Sequence, residues 1–268
     1  MSDFSSGLGS LVSGLFLFIS IFIYITLIRQ IATRRPTDNA ESIRTFSLPE
    51  AILATALASF LLLNVLVGAG QNPMRLSSRD LAANFAFTAV VVFFVAAFLR
   101  LRRLDLNSLG GFSAMSFRRA LSTGTVLLFA AYPLIALADW IAQRTYGAGS
   151  SKQGIVDLFN ESRTLEQRIL IIILAVAVAP IAEEFIFRFF LYGVLRRYLG
   201  RGLGIISNAL LFAAVHAHLP SFAPLFVLAT CFTLAYEWSG SILVSMTMHS
   251  LFNSFTLVVL AFPEILRQ

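Results

Sequence analysis

The stretch Pro180-Ile-Ala-Glu-Glu-Phe-Ile-Phe-Arg188 sets three ionisable side chains, Glu183, Glu184 and Arg188, inside an apolar run that begins at Ile169. A charged side chain at a bilayer centre costs roughly 3 kcal/mol even on mild insertion scales, so such a cluster needs partners or a wet cavity. On a helix Glu184 and Arg188 are four apart and share a face, with the acid N-terminal to the base, the order in which they neutralise each other best. Glu183 is turned about 100° from that pair toward another part of the structure. The stretch reads as a buried ion pair beside a solitary carboxylate.

Composition supplies the membrane around it. Hydrophobic residues make up 57% of the chain and charged residues 13%, with a mean hydropathy of +0.81, which is more apolar surface than a soluble domain of this size can hide. The net charge of +6 does not point to nucleic acid, because the arginines lie in short clusters between apolar runs, as orientation signals do. The single cysteine, Cys231, excludes an intramolecular disulfide and a cysteine-rich metal site, and reads as a packing residue. Lys152 is the sole lysine, a bias associated with GC-rich, bacterial genomes. No basic residue precedes the first apolar run and no small-residue cleavage site follows it, so that run reads as a retained span.

About 20 apolar residues cross a bilayer core, which gives eight candidate spans near 8–28, 49–69, 81–99, 120–142, 169–192, 203–219, 222–238 and 241–262. The count falls to seven if the short sixth and seventh form a partly re-entrant hairpin. The arginine clusters after the first, third and fifth spans fall on one side by parity, which makes that side cytoplasmic and sends both termini outward. The expected architecture is an all-α polytopic transmembrane bundle. It divides into N-terminal helices (1–145), an extramembrane loop (146–168) with Ile155, Leu158 and Phe159 as interfacial contacts, and a core (169–262) that holds nearly all the strongly polar groups.

Three of those groups join Glu183 from other spans: His216, and the pair His249 and Asn253, which are four apart and project from one helix face. Interhelical bonds from lone polar residues average only about 0.6 kcal/mol, and Asn64, Asn84 and Asn208 fit that modest structural role. One carboxylate, two imidazoles, one carboxamide and an ion pair exceed what helix association needs. Counted from the cytoplasmic helix ends, Glu183 is expected roughly 10 to 14 Å deep, His249 about 12 Å and His216 about 20 Å.

The set suits hydrolysis. A partly desolvated carboxylate is a stronger base toward water, His216 can hold the same water, and His249 and Asn253 offer donors to an oxyanion. Equally consistent is a zinc site in which Glu183, His216 and His249 are three ligands and water the fourth. HExxH, GxGD and GxSxG patterns are absent from the sequence, which turns the reading away from the corresponding protease classes. A proton or ion relay through the same residues lacks the inverted repeat or paired broken helices of transporters.

Taken in order, Glu183-Glu184-x-x-x-Arg188, Phe212-x-x-x-His216 and His249-x-x-x-Asn253 resemble the CPBP intramembrane proteases, the family of CAAX proteases and bacteriocin-processing (Abi) proteins. The resemblance covers residues 169–260. It implies a helical membrane endopeptidase in which Glu183 and His216 activate water, His249 and Asn253 form the oxyanion hole, and Glu184 with Arg188 braces the site. The expected partners are membrane lipids and a peptide or membrane-protein substrate, in a bacterial cytoplasmic membrane. Zinc and a metal-free, glutamate-dependent mechanism both fit the residue pattern. The rival reading is a non-catalytic membrane scaffold or bacteriocin-immunity protein that keeps the polar cluster as structure.

Overall fold

A computed structural model of the chain describes residues 2–34, 46–69, 78–146, 159, 162 and 164–261. It is all-helical, with no strand among the described residues. The helices are α1 (Ser2–Thr33), α2 (Leu48–Ala69), α3 (Ser78–Leu101), the short α4 (Leu106–Gly110), α5 (Phe117–Tyr146), α6 (Leu165–Val215), α7 (Leu219–Ser239) and α8 (Ile242–Ala261). Seven of them are long and apolar enough to cross a membrane. The chain is an integral, multi-pass membrane protein.

The 51-residue α6 reconciles this count with the eight expected spans. Its backbone breaks at Gly200, where φ is 77° and ψ 174°, a conformation that only glycine adopts without strain. In an uninterrupted helix Phe187 and Phe212 would lie roughly 37 Å apart, yet their ring centroids are 5.1 Å apart. A Cβ on Gly204 would sit 3.0 Å from the backbone nitrogen of Arg196. The chain thus doubles back at Gly200 into two antiparallel arms, 165–199 and 201–215. The first arm, expected as a span over 169–192 from its apolar run, continues as helix to Leu199.

One end of the bundle gathers the basic residues. Arg201, at the tip of the α6 hairpin, donates to the Ile31 carbonyl at the end of α1 at 2.9 Å. Glu50 at the start of α2 pairs with Arg102 at 3.0 Å, and Trp238 near the end of α7 donates to Gln30 at 2.6 Å. The arginine clusters expected to share one side therefore meet in space. The residues between α7 and α8 lie at the same end, so the passes alternate along the chain.

Helices α5 to α8 pack around the buried core, with α7 held between α5 and the second arm of α6 and α8 lying against α5. Helices α1 to α3 present many large apolar side chains outward, among them Phe18, Leu66 and Phe93, as lipid-facing helices do. Of the interfacial contacts expected in the loop, Ile155 and Leu158 fall outside the described residues, and Phe159 packs against Ile171 of α6.

Candidate active site

The central element is the middle of the first arm of α6, where two π-helical segments, Leu174–Val178 and Phe185–Leu191, flank the α-helical turn Ala179–Glu184. Such segments are rare and cluster at functional sites. The first has a local cause. The Ala179 N–H bonds the Leu174 carbonyl in the wider i+5 pattern, and the next bond in that pattern would run from residue 180 to the Ala175 carbonyl. Residue 180 is proline and has no N–H to give. The Asn253 amide of α8 donates to the Ala175 oxygen instead, at 2.8 Å.

One turn further on, Glu184 and Arg188 are both fully buried and form an ion pair at 3.0 Å. Arg188 lies between two aromatic faces, 4.4 Å from the Phe212 ring centroid and 5.2 Å from that of Phe232. A cation over aromatic faces gains most when it is desolvated, as this one is. Glu184 has a second partner. His249 Nδ1 lies 2.9 Å from Glu184 Oε1, and because a carboxylate only accepts, that nitrogen carries the hydrogen. The Glu184–Arg188 pair therefore fixes the orientation of an imidazole from another helix.

The other side of the same ring faces Glu183. Glu183 Oε2 and His249 Nε2 are 3.8 Å apart, too far for a direct hydrogen bond, and that carboxylate oxygen is buried without a hydrogen-bond partner among the described residues. The Glu183 side chain as a whole remains 28% exposed, so it is reachable from outside the core while Glu184 is not. The 100° between the two glutamates directs them to opposite nitrogens of one imidazole rather than to separate parts of the bundle.

His216 ends the second arm. Its Nδ1 contacts the Phe212 carbonyl at 2.7 Å, which makes Nδ1 the donor and leaves Nε2 with a free lone pair. Glu183 and His216 lie 17 and 16 residues from the turn at Gly200, about 24 to 26 Å along each arm. The two arms bring them to the same depth. The expected mismatch arose because the depth of Glu183 was measured from residue 192, eight residues short of the reversal.

Glu183, His216 and His249 thus lie on three segments around the Arg188 and Phe212 layer, while Asn253 sits against Ala175 further along the first arm. The Glu184–His249 contact, 65 residues apart in sequence, is the part that sequence reasoning missed. No local signal marks it, since the i to i+4 spacing accounts for Glu184 with Arg188 alone.

Residues 165–255 match the family model described as "Type II CAAX prenyl endopeptidase Rce1-like". The segment is similar to that of a protease family. The match includes every residue of the three ordered motifs and covers about a third of the chain, leaving α1 to α5 outside it. Comparison with curated proteins and with solved structures finds no match.

The donor set of this Rce1-like segment fits a metal in kind: each histidine has its Nδ1 bonded and its Nε2 directed elsewhere, the arrangement of metal-ligating imidazoles. It does not fit in spacing. Among the described residues no three His, Cys, Asp or Glu side chains are grouped closely enough to hold an ion, so Glu183, His216 and His249 do not form a three-ligand set in this arrangement.

Proposed function

We propose that the protein is an intramembrane endopeptidase of a bacterial cytoplasmic membrane, cleaving peptide bonds within or next to the bilayer with Glu183 as general base. The observation that carries this reading is the unpartnered Glu183 oxygen 3.8 Å from an imidazole whose other nitrogen is held by a buried ion pair. Glu184 likewise has an oxygen without a partner, but it is fully buried and ion-paired, whereas Glu183 is a reachable carboxylate, 28% exposed. A reachable carboxylate with an oxygen left empty beside a fixed ring suits a group that works on a third species, here water.

In this mechanism Glu183 takes a proton from water as the oxygen adds to the scissile carbonyl. His216 accepts the water's second hydrogen at Nε2 and holds its lone pair toward the carbon. His249 is the oxyanion donor: with its Nδ1 bonded to Glu184, its Nε2 side faces the reacting carbonyl and donates there in the imidazolium form. Asn253 contributes the amide hydrogen not used on Ala175. Collapse of the tetrahedral intermediate breaks the C–N bond, and the proton held by Glu183 passes to the leaving amine. The Rce1-like match supports a protease. The partial exposure of Glu183 supports a substrate that enters from the membrane.

Purified protein is tested on a library of membrane-proximal peptides, comparing wild type with Glu183→Gln, with and without a chelator. The reading predicts cleavage by the wild type and none by the variant; equal cleavage by both forms contradicts it. Loss of wild-type activity in chelator would show that a metal takes part.

A further inference from the structure

A cavity opens at the basic end, away from Glu183 and Glu184. It has a volume of about 490 Å³ and is lined by Phe46, Phe189, Tyr192, Tyr236, Arg196 and Arg197 among others. This is within the size range of small-ligand sites. Its lining is divided by chemistry, with an aromatic floor and two guanidinium groups at the rim.

Most of the polar groups there are already engaged. Arg196 pairs with Glu237 at 2.8 Å, Tyr192 donates to the same carboxylate at 2.9 Å, and Tyr236 donates to the Leu109 carbonyl at 3.0 Å. Arg197 differs in having no hydrogen bond or ion pair among the described residues. Two arginines against one glutamate leave the lining with a net positive charge. The ligand such a cavity accepts has an anionic group for Arg197 and an apolar or flat portion for the rings.

Location narrows the source. Trp238 and the exposed Tyr198 flank this end, and tryptophan and tyrosine collect at headgroup depth. Basic pockets between helices at that depth hold anionic lipid headgroups. The carboxylate of a bound peptide fits less well: Arg197 is 14 residues from Glu183, about 20 Å along the helix, a span that needs roughly six extended residues.

We infer that this cavity is a binding site for an anionic phospholipid, with Arg197 on the phosphate and the aromatic floor against the rest of the headgroup and the upper chain. The site does not depend on the peptidase reading. It does share the π-helical segment Phe185–Leu191 with the ion pair, through Phe189.

The test is the melting midpoint of the full chain in neutral detergent, titrated with dihexanoyl phosphatidylglycerol, dihexanoyl phosphatidylcholine or inorganic phosphate. A ligand that binds only the folded state raises the midpoint once its concentration passes its Kd, and the rise then grows with the logarithm of concentration. The expected result is a rise that sets in at low concentration of phosphatidylglycerol, little change with phosphatidylcholine, and an onset with phosphate only at far higher concentration. Arg197→Gln should weaken phosphatidylglycerol roughly tenfold, the scale of one charge-assisted contact, while Arg118→Gln, on the same face but outside the cavity lining, should not. Equal effects of the two lipids, or equal weakening by the two variants, overturn the proposal. Phosphate acting as strongly as phosphatidylglycerol assigns the cavity to a soluble anion and overturns the lipid assignment, as does competition by a peptide that loses its effect on C-terminal amidation.

Discussion

Two buried carboxylates in this molecule each meet several partners from other parts of the chain, and they are built to opposite ends. Glu237, at the basic end of α7, receives Arg196 at 2.8 Å, Arg201 at 3.0 Å and the Tyr192 hydroxyl at 2.9 Å. Its guanidinium partners stay 48% and 34% exposed, so they keep much of their hydration. Glu184, in the middle of α6, meets Arg188 and His249 with both members of its ion pair at 0% exposure. Glu184 Oε2 and Arg188 Nε are left without hydrogen-bond partners. The first network is complete and clamps the α6 hairpin to α7 at the interface. The second is incomplete and costly, and its one clear product is an imidazole held facing Glu183.

The difference between the two networks sets the size of each expected mutational effect. Glu184→Ala removes the acid and leaves Arg188 charged in a dry interior, which should destabilise the protein by about 3 to 5 kcal/mol. A melting midpoint in detergent equal to that of wild type would dissolve the distinction. Asn253→Ala leaves the Ala175 carbonyl unsatisfied at a cost of about 1 to 3 kcal/mol. If the amide stands in for the N–H that Pro180 lacks, adding Pro180→Ala should recover part of that loss, whereas strictly additive losses would show that the two positions are unrelated. Glu237→Gln is the mildest change, about 1 kcal/mol, because Arg196 and Arg201 return to water and the amide oxygen still accepts. Its effect should shrink further in high salt, as that of Glu184→Ala should not.

Most of the fold was legible because membrane helices advertise themselves: uninterrupted apolar runs gave the spans, and clustered arginines gave the common end where Arg102, Arg196 and Arg201 meet. The reversal at Gly200 was read as a loop between spans, which is right in topology but misplaced the helix end. Apart from the buried Val194, residues 193–199 are exposed or half-buried and do not look like membrane interior, although their backbone continues the helix. In the site, local spacing was enough for Glu184 with Arg188, a contact four residues long. It could not reveal that both glutamates converge on one imidazole, which depends on how α8 packs against α6. Nor did the sequence mark the π-helical segments, although Pro180 explains the first of them once the Asn253 contact is seen.

The central claim is that Glu184 holds the site together and Glu183 does the chemistry. Glu183→Gln keeps the size of the side chain and removes the base, so the direct measurement is peptide cleavage by this variant alongside its melting midpoint. The account predicts a loss of activity of roughly a hundredfold to ten-thousandfold with the midpoint close to that of wild type. Retained cleavage, or a midpoint lowered as far as in Glu184→Ala, would show instead that the two glutamates form one structural unit.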